Sequence, residues 1–407
     1  DLAGRVEMPR VRWSRPALQS PTARLFVAML FNEGAIGLYL TLWPLYIAAL
    51  GASPPQIGLV LGYAGLIRLL CLLPSGVLND RVSPRRLILI TRTLAVLGLA
   101  LCGLAREWWQ LLPATTVLGV GVLAFPALSN LIASLSADSA QRTRNFTLLY
   151  TVAPSIAYLI TPALGGLIAE QVSLRATLLA ASLLTAIAAA ILVTIRPPAT
   201  ERVQGPPASY LAALRHRPVL LVSLMMLSTI TFLTLGWALA PNFLQEVHGL
   251  EFQTIGWLGS MGAGGSVLLS LIISRVRLFQ PPFNGLALAL GAVIGGFAVL
   301  LLGSALWAFA IAYVLRGGFL VAWSVFYAAY GEVTPAELRS RAFALAEILG
   351  SAGSTIAPFL AGWLYEIDPR LPLALGLLVA FPLLAAALQL GRQFRPPAPA
   401  AVPATTD

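Results

Sequence analysis

The sequence contains no lysine; all 26 of its basic residues are arginine. Charge of either sign is scarce, at 10% of 407 residues, where a soluble domain carries about 25%. So little charge excludes an ordinary water-soluble globule. Histidine is almost absent, and His216 and His248 fall in separate connecting segments, so no metal-ligand cluster and no metal are expected. The two cysteines, Cys71 and Cys102, both lie inside apolar runs, which argues against a disulfide framework. HExxH, GxSxG and a phosphate-binding loop are all missing, which removes the matching hydrolases and an ATP-driven pump. The arginines are scattered along the chain and not interleaved with aromatics on one patch, so nucleic-acid binding is not expected either. The first 23 residues are polar and arginine-rich without a separate apolar core, and no cleavable signal peptide is expected there.

What the chain has in abundance is apolar sequence, 58% of all residues. It is divided into twelve blocks, at 24–50, 56–79, 85–105, 109–135, 143–169, 174–195, 217–246, 252–275, 283–303, 306–330, 340–366 and 371–391. Each is long enough to cross a hydrocarbon core of about 30 Å as a helix. With both ends placed in the cytoplasm, the cytoplasmic segments hold 21 arginines, Arg85, Arg86 and Arg92 among them, and the outer loops only Arg106, Arg175 and Arg370. That asymmetry predicts a multi-pass protein of the inner (plasma) membrane with both termini inside. The longest polar stretch between spans, at 196–216, divides the chain into a basic segment (1–23), a first six-helix half (24–195), a linker (196–216), a second half (217–391) and a Pro/Ala tail (392–407) expected to be disordered. Within the linker, SYLAALRH reads either as plain connection or as a short surface helix.

The two halves repeat one another. TPALGGLIAE (161–170) matches APFLAGWLYE (357–366), RTRNF (142–146) matches RSRAF (339–343), and WPLYIAALGASPPQIG (43–58) matches APNFLQEVHGLEFQTIG (240–256). All three matches keep a separation of 196 to 198 residues, in register with the span count. A duplicated six-helix unit follows, and duplicated halves that rock about a central cavity are a common design for alternating access. The expected fold is therefore an all-α integral membrane protein with 12 transmembrane helices in two pseudo-symmetric six-helix bundles.

The loop after the second span, Gly76-Val-Leu-Asn-Asp80-Arg81-Val-Ser-Pro-Arg85-Arg86, resembles the signature loop of the major facilitator superfamily, G-x-x-x-D-R-x-G-R-R, with Ser83 in place of its glycine and Pro84 interrupting the basic run. The resemblance implies that Asp80 stabilises the outward-facing state, close to arginines such as Arg142 or Arg144. Arg81, Arg85 and Arg86 also serve topology. In the fifth span, Ala157-Tyr-Leu-Ile-Thr161-Pro162-Ala-Leu-Gly165-Gly166 is similar to an exporter-associated pattern of that family, G-x-x-x-G-P-x-x-G-G. The family's fourth-helix arginine followed by glycine is missing, while Leu315-Arg316-Gly317-Gly318 stands in the tenth span. The resemblance implies gating by Gly76, Asp80, Arg81, Arg85, Arg86, Arg142, Arg144, Pro162 and Gly166, in the character of 12-helix proton-coupled efflux transporters.

Four ionisable residues, Glu33, Arg68, Arg316 and Glu347, lie well inside spans. A charge there costs at least about 2.5 to 3.5 kcal/mol, so each needs a partner or a cavity. Glu33 and Arg68 are similar in depth, and a pair between them is expected. It reads either as a fixed salt bridge or as a carboxylate that takes a proton when the arginine moves, and Arg68 alternatively faces an anionic substrate. Glu33 and Glu347 are the candidate proton-coupling residues. Asn32, Tyr39, Trp43, Arg68, Thr234, Trp237 and Arg316 are the candidate substrate contacts, the aromatic and hydroxyl residues reading equally as packing. The glycines of the eighth span mark close helix contact.

The expected function is secondary transport of a small molecule by alternating access, with proton coupling and export of amphipathic or drug-like compounds. An alternative is transport of sugars or organic anions through Arg68 and Arg316. A non-transporting membrane sensor is the remaining class, and the sequence shows no soluble domain to carry its signal. The chain reads as a non-enzymatic monomer in a lipid bilayer, without cofactor.

Overall fold

A computed structural model describes residues 20–123, 127–129, 131–132, 135–136, 138–195, 215–335 and 338–394. Among the described residues, twelve helical runs are long and apolar enough to cross a membrane. Their principal helices are α1 Pro21–Leu40, α2 Pro54–Arg81, α3 Pro84–Leu104, α4 Leu111–Gly119, α5 Ala153–Gln171, α6 Leu174–Val193, α7 Arg217–Trp237, α8 Phe252–Arg275, α9 Pro282–Leu302, α10 Leu306–Val333, α11 Arg339–Ile367 and α12 Leu371–Gln393; α4 is the regular part of a longer run that begins at Trp108. The protein is a multi-pass membrane protein. The side on which α1 begins is called the near face, and the other the far face.

Helix starts follow local chemistry. Ser20 caps α1 by accepting from the Ala23 N–H at 3.2 Å, and the Gln56 side chain accepts from the Ser53 N–H at 2.8 Å ahead of α2. Proline occupies the first turn of α1, α2, α3, α7, α9 and α12, where its missing N–H costs nothing.

Two runs read from the sequence as continuous spans are broken. The run at 24–50 ends as α1 at Leu40 and restarts as a short helix, Trp43–Ala49; the run at 217–246 restarts as Ala240–Glu246. Each restart carries a proline in its first turn, which has no N–H to continue the preceding ladder. Each short helix then turns at a glycine with positive φ, Gly51 at 84° and Gly249 at 66°, a conformation that favours glycine. The fourth span tightens after Gly119 into a 3₁₀ turn, Val120–Leu123, and α5 is entered through Ser139–Thr147 and a π-turn, Leu148–Val152. The interior of the 196–216 linker, the first 19 residues and the tail from 395 lie outside the described residues.

Helix α1 packs on α5 and α6, and α3 on α4 and α6; in the second half α9 packs on α10 and α12, and α7 on α11 and α12. The halves meet along two crossings, α2 with α11 and α5 with α8, and the sequence repeat sets both. A Cβ at Gly58 would stand 2.3 Å from the Pro358 carbonyl oxygen, and one at Gly362 would stand 2.5 Å from that of Pro54. Across the other crossing, a Cβ at Gly256 would stand 2.5 Å from the Pro162 carbonyl oxygen, and one at Gly166 would stand 2.6 Å from that of Phe252. Backbone thus lies against backbone at four repeat-related glycines, as small residues permit between membrane helices.

All four glycines lie in the far-face halves of their helices, so the far face is where the bundles interlock. Further bonds join the halves there. Glu170 accepts from the Phe252 N–H at 2.9 Å, Ser260 Oγ accepts from the Ala163 N–H at 3.1 Å, and Asn242 donates to the Pro44 carbonyl at 3.5 Å.

Candidate transport cavity

One face of α1 carries Met29, Asn32, Glu33, Ile36 and Tyr39, at the three- and four-residue spacing of one helix side. These residues line a cavity of about 560 Å³ together with Arg68, Arg92, Tyr150, Pro154, Thr185 and Glu347. Glu33 Oε1 accepts from the Asn32 amide at 3.0 Å and Oε2 from the Tyr158 hydroxyl of α5 at 3.1 Å. Arg92 of α3 donates to the Asn32 side-chain oxygen. Three helices therefore converge on one carboxylate, and a guanidinium behind Asn32 supplies its counter-charge.

The expected Glu33–Arg68 pair does not form. Arg68 instead meets Glu347 of α11 at 3.7 Å, with the two side chains 52% and 32% exposed. The reason lies in the glycine stripe of α2. Gly58 and Gly62 press against Pro358 and Phe359, and Gly65 against Thr355, so residue 68, one turn on, also faces α11 and not α1. Glu347 additionally accepts from the Tyr327 hydroxyl of α10. The carboxylates of the two halves thus face one cavity, each bonded by a tyrosine from a neighbouring helix.

Arg92 is the residue that the sequence reading misplaced, among the cytoplasmic arginines beside Arg85 and Arg86. Helix α3 begins at Pro84, which carries Arg92 about 12 Å inward at 1.5 Å per residue. Tyr158 and Tyr327, the carboxylate donors, were also missed; their signal was a tyrosine inside an apolar run on a helix that crosses between halves or lines the second bundle.

Arg316 does not approach Glu347. Its Cζ lies 5.4 Å from the Trp237 ring centroid and 5.5 Å from that of Tyr313. Trp237 also stacks on Phe297 at 5.1 Å. The Arg316 Nε, Trp237 Nε1 and Thr234 Oγ1 atoms are buried without a hydrogen-bond partner. Tyr39 lines the cavity and meets Trp43 edge-on at 5.7 Å, but Trp43 is itself buried against Tyr46 and does not line it.

Among the expected gate residues, Pro162 and Gly166 sit in the α5–α8 crossing. Arg85 donates to the Val193 carbonyl at 3.1 Å, and Arg86, Arg142 and Arg144 are exposed at the near face. Gly76, Asp80 and Arg81 fall in the last turns of α2, and their side chains, with the expected Asp80 contact to Arg142 or Arg144, lie outside the described residues. Among the described residues no cluster of three metal-ligating side chains occurs.

Twelve spans in two repeated bundles, interlocked on one side and enclosing a charged cavity, define a secondary transporter and not an enzyme. The model of the Major Facilitator Superfamily matches residues 25–304 and 222–406, and the chain belongs to that family. Solved structures share the fold. The nucleoside transporter NupG is 14% identical with a TM-score of 0.75, covering 92% of this chain and 99% of its own. A bacterial homolog of the human lysosomal transporter Spinster, in an inward-facing and unoccupied conformation, is 18% identical with a TM-score of 0.68 over 94% of each chain. The peptide transporter POT in complex with sulfate is 14% identical with a TM-score of 0.72, covering 91% of this chain and 95% of its own. No curated protein sequence matches.

Proposed function

We propose that the chain is a proton-coupled exporter of small amphipathic compounds, with Glu33 as its coupling carboxylate. The observation that carries this reading is the position of Glu33, inside the cavity and held by Asn32 and Tyr158 with Arg92 at hand. A carboxylate in this setting has two accessible states. Ionised, it is neutralised by Arg92 and accepts both hydrogen bonds; protonated, it frees Arg92 to turn toward the cavity. Substrate and proton then compete for the same charge balance, which is the physical content of coupling. Glu347, paired with Arg68 across the halves, is the second candidate coupling carboxylate, and its pair must part when the halves separate at that level.

The arginine asymmetry supports a near face on the cytoplasmic side of the inner membrane, with both termini there. The interlocked far face is then the outer gate, and the conformation is inward-facing. Export is favoured by the resemblance of Ala157–Gly166 to the exporter-associated pattern. The cargoes named for the similar structures, nucleosides and peptides, differ from one another and do not choose one for this chain.

The test is proton movement in everted membrane vesicles under an imposed pH gradient, with cationic, neutral and anionic amphipathic compounds added in turn. A compound that dissipates the gradient in the wild type and not in Glu33→Gln supports the reading. Equal responses from the two proteins remove Glu33 from the mechanism.

A further inference from the structure

Each half holds a half-buried arginine well inside a span, Arg92 and Arg316, and their surroundings differ in one respect. Arg92 has an amide acceptor in Asn32 and the Glu33 carboxylate close by. Arg316 has two aromatic faces and no acid: the ion pair among the described residues is Arg68–Glu347. Arg316 is the eleventh residue of α10, about 15 Å from its start and far from either water layer. The groups well inside the spans, Glu33 and Glu347 against Arg68, Arg92 and Arg316, therefore leave one positive charge over, and it is located at Arg316.

The neighbours of Arg316 are donors too. Thr234 and Trp237 lie three residues apart on α7, one side of that helix, and Trp237 lies under the guanidinium. The Thr234 hydroxyl, the Trp237 indole N–H and the Arg316 Nε–H are all buried and unpartnered. Buried donors nearly always find an acceptor, and a guanidinium kept from water without counter-charge is costly. Three unpartnered groups of matching chemistry on two adjacent helices can serve one acceptor. On the α8 side Gly262 allows close approach to α10: an added Cβ would stand 3.3 Å from the Tyr313 carbonyl oxygen and 3.8 Å from the Arg316 Nη1. Arg316 as a whole is only half-buried, so the position is not sealed.

We infer that Arg316, Trp237 and Thr234 form a subsite for the anionic group of the substrate, a carboxylate or an equivalent oxyanion. A carboxylate takes two parallel bonds from a guanidinium and has lone pairs left for a hydroxyl or an indole N–H. This deepens the preceding reading, and rests on its placing of the transport route between the halves, by giving the amphipathic cargo a negative charge. Arg68 is not part of the subsite, because Glu347 already neutralises it.

The experiment measures thermal unfolding of the purified full chain at constant ionic strength with three matched probes: sodium 2-naphthoate, 2-naphthylmethylammonium and 2-naphthalenemethanol. A ligand that binds the folded chain raises its unfolding temperature in proportion to its affinity. The expected result is a rise with naphthoate, corresponding to binding about tenfold or more tighter than the ammonium probe, an affinity difference worth about 1.4 kcal/mol. Arg316→Gln should lose that preference while unfolding, without probe, at the wild-type temperature or above, since it sheds an uncompensated charge. Arg316→Lys, which keeps the charge, should keep part of the preference. No advantage of naphthoate over the ammonium probe overturns the inference, as does a preference that survives in Arg316→Gln. A naphthoate preference that persists in Glu33→Gln, combined with unchanged proton movement in that variant, removes the coupling role of Glu33 and leaves the subsite standing.

Discussion

Replacing Gly256 by alanine adds one methyl group at the α5–α8 crossing, and its consequences follow from distances alone. The new Cβ would lie 2.5 Å from the Pro162 carbonyl oxygen and 2.8 Å from the Gly166 Cα. Both are backbone atoms of the opposite half, so no side-chain rotation relieves the clash. Ordinary contact requires about 3.4 Å or more, and the two helices must part by nearly 1 Å along a seam where Gly166 also sets the close approach. Overpacking of this kind costs about 1–3 kcal/mol, which shifts the balance between far-face-closed and far-face-open forms by roughly 5- to 150-fold. The assay is the distance between spin labels at Arg106 and Ser304, exposed far-face positions on opposite halves, in a background with Cys71 and Cys102 replaced by serine. Gly256→Ala should populate a longer distance and slow turnover. Gly291→Ala, where nothing lies within 4 Å of an added Cβ, should change neither. Identical distance distributions for wild type and Gly256→Ala would refute the claim that these glycines set the closed gate.

Three further outcomes follow from particular contacts. Glu170→Gln weakens a charge-assisted bond to the Phe252 N–H at the start of α8, and the same label pair should show a smaller opening, consistent with about 0.5–2 kcal/mol for a lost helix cap; the repeat-related Glu366 is exposed and Pro54, at the start of α2, has no N–H to offer it, so Glu366→Gln should have less effect. A double-mutant cycle on Arg68→Gln and Glu347→Gln should give a coupling of about 1 kcal/mol or less in unfolding experiments, because both side chains are partly exposed. His248, in the turn after Glu246, packs between Phe243 and Phe309, and burial, then Arg370, holds its pKa below the ordinary histidine value. Its neutral form is thus favoured in the folded chain. The stability it contributes is complete above the unfolded-state pKa of about 6.5 and is lost as pH falls toward its lower folded value. Unfolding temperature measured from pH 7 down to pH 5 should therefore decline less steeply in His248→Gln than in the wild type.

The architecture was legible because membrane insertion and duplication both write periodic signals. Span number, the two halves and the Gly58, Pro162, Gly166, Gly256, Pro358 and Gly362 correspondence all reappear as packing, since hydrocarbon length fixes the first and backbone contact the last. The breaks after Leu40 and Trp237 were also signalled, by Pro44 and Pro241, but apolar length masked them. The site was legible in part. Depth along a helix identified Glu33, Arg68, Arg316 and Glu347, yet depth does not give the direction in which a side chain points. The stripe Gly58, Gly62, Gly65 carried that information for Arg68, because the face that packs closest is the face with no side chains, and it turned Arg68 to Glu347. Arg92 was lost to its neighbours: proximity in sequence to Arg85 and Arg86 suggested the membrane surface, whereas the helix start at Pro84 places it two turns deeper. Arg316 shows the converse, since Glu347 on the neighbouring α11 pairs with Arg68 and no acid partner for Arg316 is found among the described residues.

The claim on which the rest depends is that Glu33 exchanges a proton in step with substrate. Its most direct test is proton release or uptake by the purified protein on binding a transported compound, followed with a pH-indicator dye in weakly buffered solution. The account predicts a proton displacement that depends on compound concentration in the wild type and disappears in Glu33→Gln, with binding still detectable in the variant. Displacement of the same size in both proteins would contradict it.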